Sequence, residues 1–200
     1  MVKWLKDWRA DAEWSPVERI RAYLGLAAIV GTLATAPVAA ATVTTERGGE
    51  RHNVNALPTL NGGIVVRLNA IRASRGLHRL TVATGLAAAA RAHTRDMVRS
   101  GLFQHESSDG TAFWQRVRSF YGAAGFRSWT VGETLVWQTG PATAAALVAM
   151  WLASPPHREV LLDPSWREIG VAAVEDTVAP GDFGGSDATI VTADFGARSR

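Results

Sequence analysis

FQHESSDG (Phe103–Gly110), VGETLVW (Val131–Trp137) and MWLASPPHREVLLDP (Met150–Pro164) are the three segments on which the reading of this chain turns. They carry His105, Glu133 and His157, side chains of the kind that bind a metal ion or move protons. The three lie too far apart in sequence to meet within one helix or hairpin, so only a tertiary fold brings them together. Neutral imidazole and carboxylate are good ligands for zinc, and three such ligands leave one position open. The same set suits general acid–base work. A purely structural role is equally open: His105 bracing the turn at Ser107–Gly110, Glu133 accepting backbone N–H groups, His157 satisfying carbonyls at a helix end.

Outward from these segments, the domain reads as helices followed by strands. Ile64, Leu68, Ile71 and Arg75 recur at helical spacing, with Gly76 as a left-handed terminator. Thr84 is expected to cap a second helix through Ser100, with Leu86, Ala90, His93 and Met97 on its apolar stripe and Gly101 closing it. His93 on that stripe is expected to be a core residue with a hydrogen-bond partner. A third helix is expected from Thr111 to Phe120. Trp129–Trp137 reads as a strand, and Pro141 as the start of a helix with Leu147, Met150 and Trp151 facing inward. Pro155-Pro156 is expected to end that helix, leaving His157 just beyond it. Glu168–Val174 and Thr189–Phe195 read as strands, joined by a Gly-, Pro- and Asp-rich loop or open hairpin end over Glu175–Asp187. This order implies an α+β fold.

Composition excludes several classes. Of the 200 residues 47% are apolar and 20% charged, which describes a globular chain. The formal charge is only +3, with signs interspersed, so no nucleic-acid partner is expected. There is no cysteine, which removes disulfides, a thiol nucleophile and cysteine-ligated zinc. His93 is followed by Thr94-Arg95-Asp96-Met97 and not by an HExxH pattern, and there is no GxSxG elbow or phosphate loop. No conventional enzyme activity is therefore expected.

The N-terminal quarter reads as delivery. Residues 1–22 form a basic amphipathic leader with Trp4 and Trp8 on one helical face. Residues 23–45 are uncharged and end in small residues around Ala39-Ala40-Ala41, matching the core and cleavage region of a signal peptide or, if retained, a membrane anchor. Residues 46–58 read as a linker and 59–200 as the domain. A secreted or otherwise extracytoplasmic protein is expected, with membrane contact through the N-terminal segment if that segment is kept.

The order of the pieces LNAIRASRGLHRL (Leu68–Leu80), LAAAARAHTRDMVRSGLFQHESSDG (Leu86–Gly110), VGET (Val131–Thr134), MWLASPPHR (Met150–Arg158) and LLDPSWREIGVAAV (Leu161–Val174) resembles the bacterial branch of the CAP superfamily, also called the SCP domain. The resemblance implies a three-layer α–β–α sandwich around a small antiparallel sheet. It also implies a central cleft in which His105, Glu133 and His157 take the positions of the first histidine, the glutamate and the second histidine. Some members hold zinc or another divalent cation there; no enzyme activity is shared across the family. Thr134 and Val160 stand where the family commonly has asparagine, and Ala142–Ser154 contains no acidic residue to supply a second cleft glutamate. The implied function is a binding or structural module of the cell envelope, with an unknown envelope partner or small ligand. A metal-dependent hydrolase using the same cleft, and a scaffold without a ligand, are the alternatives.

Overall fold

The computed structural model describes residues 53–200; the leader and the signal or anchor segment expected over 1–45 lie outside them. Strand β1 (Val54–Ala56) leads into helix α1 (Pro58–Ala73), strand β2 (Thr81–Val82), and helices α2 (Thr84–Ser100) and α3 (Phe113–Phe120). Strand β3 (Ser128–Thr139), helices α4 (Ala144–Ala153) and α5 (Pro155–Leu162), and the long strands β4 (Glu168–Ala179) and β5 (Ser186–Ser199) complete the domain.

The sheet runs in the order β1-β4-β5-β3 and is antiparallel along that path; the two-residue β2 pairs with β4 in parallel. Alternation along each strand splits the core into two layers. Val136, Val171, Ala173, Val191, Ala193 and Phe195 pack on one face against Ile64 and Leu68 of α1, Leu147 and Trp151 of α4, and Leu161 of α5. Leu135, Val174 and Ile190 face the other way, onto Met97 and Val98 of α2. Val131 and Trp129 meet Leu86 of α2 and Val117 of α3 on that same side. The result is the α–β–α sandwich expected from the resemblance.

Several local expectations are corrected. Thr84 is the first helical residue, not the cap; Ala83 precedes it in extended conformation, its N–H still donating to the Ile169 carbonyl. Pro141 stays outside α4, and Thr143 caps that helix by accepting from the Ala146 N–H at 3.2 Å. Pro155 and Pro156 end α4 but also open α5, because proline is tolerated in a first turn where N–H groups have no intrahelical acceptor. His157 therefore sits in the first turn of a helix rather than beyond a helix end. β4 and β5 extend well into Glu175–Asp187, leaving only a short connection with a 3-10 turn at Gly181–Phe183. Val54–Ala56, within the expected linker over 46–58, pairs with β4. Gly76 and Gly101 take the positive φ expected of them, and the Gly101 N–H donates to the Met97 carbonyl at 2.8 Å.

Two buried polar side chains fix the helices. Asn69 closes two hydrogen bonds with the backbone of Leu80, donating to its carbonyl at 2.9 Å and accepting its N–H at 2.7 Å. Arg72, fully buried, donates to the carbonyls of His78, Leu161 and Asp163. It thereby ties α1 to the C-terminal end of α5, the helix that carries His157.

The close approach of α2 to the sheet depends on Gly170. A Cβ there would lie 2.1 Å from both the Ala87 nitrogen and the Leu86 carbonyl carbon, which are backbone atoms that cannot step aside. Gly170→Ala is expected to cost about 3 kcal/mol or more and to lower the thermal midpoint by about 6–12 °C. Gly62→Ala is the control: a Cβ there meets nothing within 4 Å, and in a helix it should stabilise by about 0.4–1 kcal/mol. Calorimetric melting of the two variants checks both signs.

Candidate functional site

Glu133 lies on β3, paired across the ladder with Asp194 of β5, which in turn pairs with Gly170 of β4. All three positions share the face that α2 covers. Because Gly170 has no side chain, α2 comes down close to the sheet and brings His93 beside Glu133, with His93 Nε2 3.9 Å from Glu133 Oε1. His93 is buried as expected, and its Nε2 donates to the Gln104 carbonyl at 2.9 Å. A carbonyl only accepts, so the proton of the neutral ring is on Nε2.

The loop from Phe103 to Thr111 is pinned along its length. The Phe103 N–H donates to Asp182 Oδ2 at 2.9 Å, and the Ser108 N–H and hydroxyl donate to Asp96 at 2.7 and 2.8 Å. Arg116 of α3 reaches in from the other side. Its Nη1 donates to the His105 carbonyl at 3.2 Å and to Ser107 Oγ at 2.9 Å, and its Nη2 pairs with Glu133 Oε2. This holds His105 so that its Nδ1 donates to Glu133 Oε1 at 2.8 Å. The Glu133 side chain is 1% exposed and Arg116 6%, whereas His105 is 41% exposed. A buried ion pair thus supports a histidine at the surface.

The charge states follow from these contacts. Burial opposes ionisation of Glu133, but the hydrogen bond from His105 and the charge of Arg116 outweigh it and hold the carboxylate well below its ordinary range. Burial also works against a charge on His105; the hydrogen bond to Glu133 and its negative charge outweigh that, and the His105 pKa is raised. His157 moves the other way, down to about 4, through burial and then the charge of His105. Asp194, buried and beside Glu133, is pushed well above the usual carboxylate range, first by burial and then by the Glu133 charge.

The structure therefore joins His105 and Glu133 by a direct hydrogen bond and brings His157 within electrostatic reach of His105. The expected three-ligand set of His105, Glu133 and His157 does not close. Among the described residues no three His, Asp or Glu side chains are grouped to hold a metal ion. Glu133 commits one oxygen to His105 and the other to Arg116, and the guanidinium already neutralises the charge that a divalent cation would need. As placed, Glu133 orients His105 and does not fit the role of a metal ligand.

Sequence reasoning missed Arg116 and Asp194. A signal was present for each. Arg116 lies on the same helical stripe as Phe113, Val117 and Phe120, where a charge has to find a buried partner. Asp194 interrupts an otherwise buried strand pattern between Thr192 and Gly196.

Glu133→Gln is expected to destabilise by about 3–5 kcal/mol, because it leaves the Arg116 charge buried without its partner. In wild type the depressed Glu133 pKa adds stability above its unfolded value near 4.5, which is lost as pH falls through the folded value. The raised His105 pKa adds stability below 6.5, lost as pH rises through its folded value. His157 has the opposite sign: its neutral folded form is penalised as pH falls below 6.5 toward about 4. Proton NMR titration of the imidazole resonances checks this assignment. His105 should titrate above 6.5 and His157 near 4, and Glu133→Gln should bring His105 down.

Comparison with known proteins agrees with the geometry. The model of the cysteine-rich secretory protein family, CAP, matches residues 65–194. The uncharacterised protein YkwD of Bacillus subtilis is 32% identical over 112 residues, a match covering 56% of this chain and 41% of that protein, so the chain accounts for well under half of that relative. Among solved structures, an outer surface protein of Borrelia burgdorferi shares the fold with a TM-score of 0.58 at 18% identity, over 72% of this chain and 98% of that one. An extracellular protein containing an SCP domain from Bacillus anthracis does so with a TM-score of 0.53 at 23% identity, over 78% of this chain and 44% of that one. The two structural likenesses agree in the sandwich fold, the family model spans both histidine segments and the Glu133 strand, and the chain belongs to the cysteine-rich secretory protein (CAP) family.

Proposed function

We propose that this protein is an extracytoplasmic, non-catalytic binding module of the cell envelope, and that its ligand is taken in the cleft between His105 and His157. The observation that carries this reading is the contrast in burial within one network: a Glu133–Arg116 pair in the core and a half-exposed imidazole fixed by it. Nδ1 of His105 is committed to Glu133, so Nε2 is the ring atom left for a ligand. Positioning one exposed polar group with buried supports favours recognition, because the ordering cost is met by the fold and not by the ligand. Among the described residues the partner of His105 Nδ1 is Glu133 and not a hydroxyl, and the sequence has no cysteine, so the reading does not call on acyl transfer.

The export part of the proposal rests on the apolar, small-residue segment over 23–45 and on the descriptions of the two structural relatives as outer-surface and extracellular proteins. Among the described residues no helix is long and apolar enough to cross a membrane, so any anchoring would fall to the N-terminal segment. The metal-dependent hydrolase, which no observation favours, becomes an outcome of the tests.

A reporter active only outside the cytoplasm, fused after Arg200, is expected to be active; an inactive fusion defeats the export claim. The purified full chain should be retained by isolated cell envelopes, and His105→Ala/His157→Ala should lose that retention while still melting in one cooperative transition, at a lower midpoint because the His105–Glu133 hydrogen bond is gone. Casein and peptide-library assays, with and without zinc, should show no turnover. Zinc-dependent turnover abolished in the double variant would replace this reading with the hydrolase.

A further inference from the structure

We propose that a polar pocket between α2 and α3 binds one uncharged sugar unit, at a site lined by none of His105, Glu133 and His157. The pocket has a volume of about 290 Å³. At roughly 30 Å³ per water that is room for on the order of ten waters, the bulk of a single sugar ring. Ala92, Asp96 and Arg99 line it from one stripe of α2, and Arg116 and Ser119 from α3. The loop between the two helices adds Ser107, Ser108, Asp109 and Thr111. That loop is already fixed. The Ser108 N–H and hydroxyl donate to Asp96, the Ser107 N–H donates to the Thr111 carbonyl at 2.9 Å, and the Thr111 N–H donates to Asp109 Oδ1 at 2.8 Å. A ligand therefore meets a wall whose ordering cost the fold has already met.

The lining sorts ligands by charge. An anion meets the carboxylates of Asp96 and Asp109. A cation finds Asp96 already accepting from Ser108, with Arg99 Nη2 3.6 Å from its Oδ1, and among the described residues no three His, Asp or Glu side chains are grouped to hold a metal ion. An apolar ligand finds Ala92 as the one apolar side chain of the wall. A ring bearing several hydroxyls matches what is left, because each hydroxyl both donates and accepts. Asp109 is exposed and gives Oδ1 to the Thr111 N–H, which leaves further lone pairs to accept from ligand hydroxyls. Ser107 Oγ accepts from Arg116 Nη1 at 2.9 Å and has its own proton to donate. Arg99, its side chain 75% exposed, brings further N–H donors for ligand oxygens. Bonds from a neutral hydroxyl to a carboxylate or a guanidinium are charge-assisted, and they are strong without requiring a charge on the ligand.

The test uses the full-length chain, titrated separately with N-acetylglucosamine, its linear trimer, sodium acetate and calcium chloride, and followed by the backbone amide resonances. Saturable shifts at Ser108, Asp109, Thr111 and Ser119 are expected with the sugars and not with the two salts. A trimer that binds more tightly than the monomer identifies a glycan chain as the source; equal affinities identify a free sugar. Asp109→Asn, a change at an exposed side chain that can still accept the Thr111 N–H, should weaken sugar binding about tenfold. Ala92→Leu, a good helix former placed in the wall, should abolish binding by filling the pocket while the domain still melts cooperatively. The proposal is overturned if neither sugar saturates these amides, if acetate or calcium does so and the sugars do not, or if both folded variants bind sugar as wild type does. The outcome is separable from the reading of the histidine cleft. Arg116 meets the His105 carbonyl and not its ring, so His105→Ala/His157→Ala should lose envelope retention and keep sugar binding. Loss of sugar binding in that double variant, with the domain folded, also sinks the separate site.

Discussion

The Glu133–Arg116 ion pair is the interaction on which the site depends. Placing one carboxylate in the core of a sheet is costly unless a cation comes with it and the remaining lone pairs are used. Here Arg116 supplies the cation from α3, and His105 uses the other oxygen from the loop between α2 and α3. One buried charge thus orders a strand, a helix and a loop at once. The same guanidinium also donates to the His105 carbonyl and the Ser107 hydroxyl, so the backbone and the ring of the histidine segment are held by two ends of one pair.

The rest of the fold prepares this pair. Gly170 lets α2 descend onto the sheet beside the Glu133–Asp194 ladder position, which excludes water from the carboxylate and brings His93 to it. On the opposite face, Arg72 and Asn69 bind α1 to the loop at Leu80 and to the end of α5. That second set of polar anchors decides where His157 stands. His105 and His157 are therefore carried from opposite layers of the sandwich, and Glu133, the partner of His105, lies on β3, an edge strand of the sheet.

Burial then divides the titrating groups into two kinds. Glu133 and His105 stabilise each other's charged forms, so their pKa values move apart, while Asp194 and His157 have burial without an equivalent partner and favour their neutral forms. Two histidines close enough to sense one another thus have pKa values shifted in opposite directions.

The hydrophobic periodicities of Ile64-Leu68, Leu86-Ala90-Met97 and Leu147-Trp151 were legible in the sequence because local spacing alone decides which side of a helix is apolar. So were the turns at Gly76 and Gly101, where a positive φ suits glycine. The ordered motifs around His105, Glu133 and His157 were enough to identify the family and its sandwich. Helix starts at Thr84 and Pro141 were misplaced, because a cap is chosen by the incoming backbone: Ala83 is still tied to Ile169 and Thr143 is nearer the first free N–H groups. Arg116 and Asp194 were not legible as site residues, since a charge on an apolar stripe announces a partner without naming it. Which carboxylate Arg116 meets, and whether Glu133 faces a metal or a guanidinium, depends on how α3 packs across β3. Sequence by itself determined the apolar faces of the main helices, the family, and His105, Glu133 and His157 as the chemistry-bearing residues; the tertiary structure alone decided that Glu133 supports His105 from beneath, because pair geometry and burial exist only once the layers are closed.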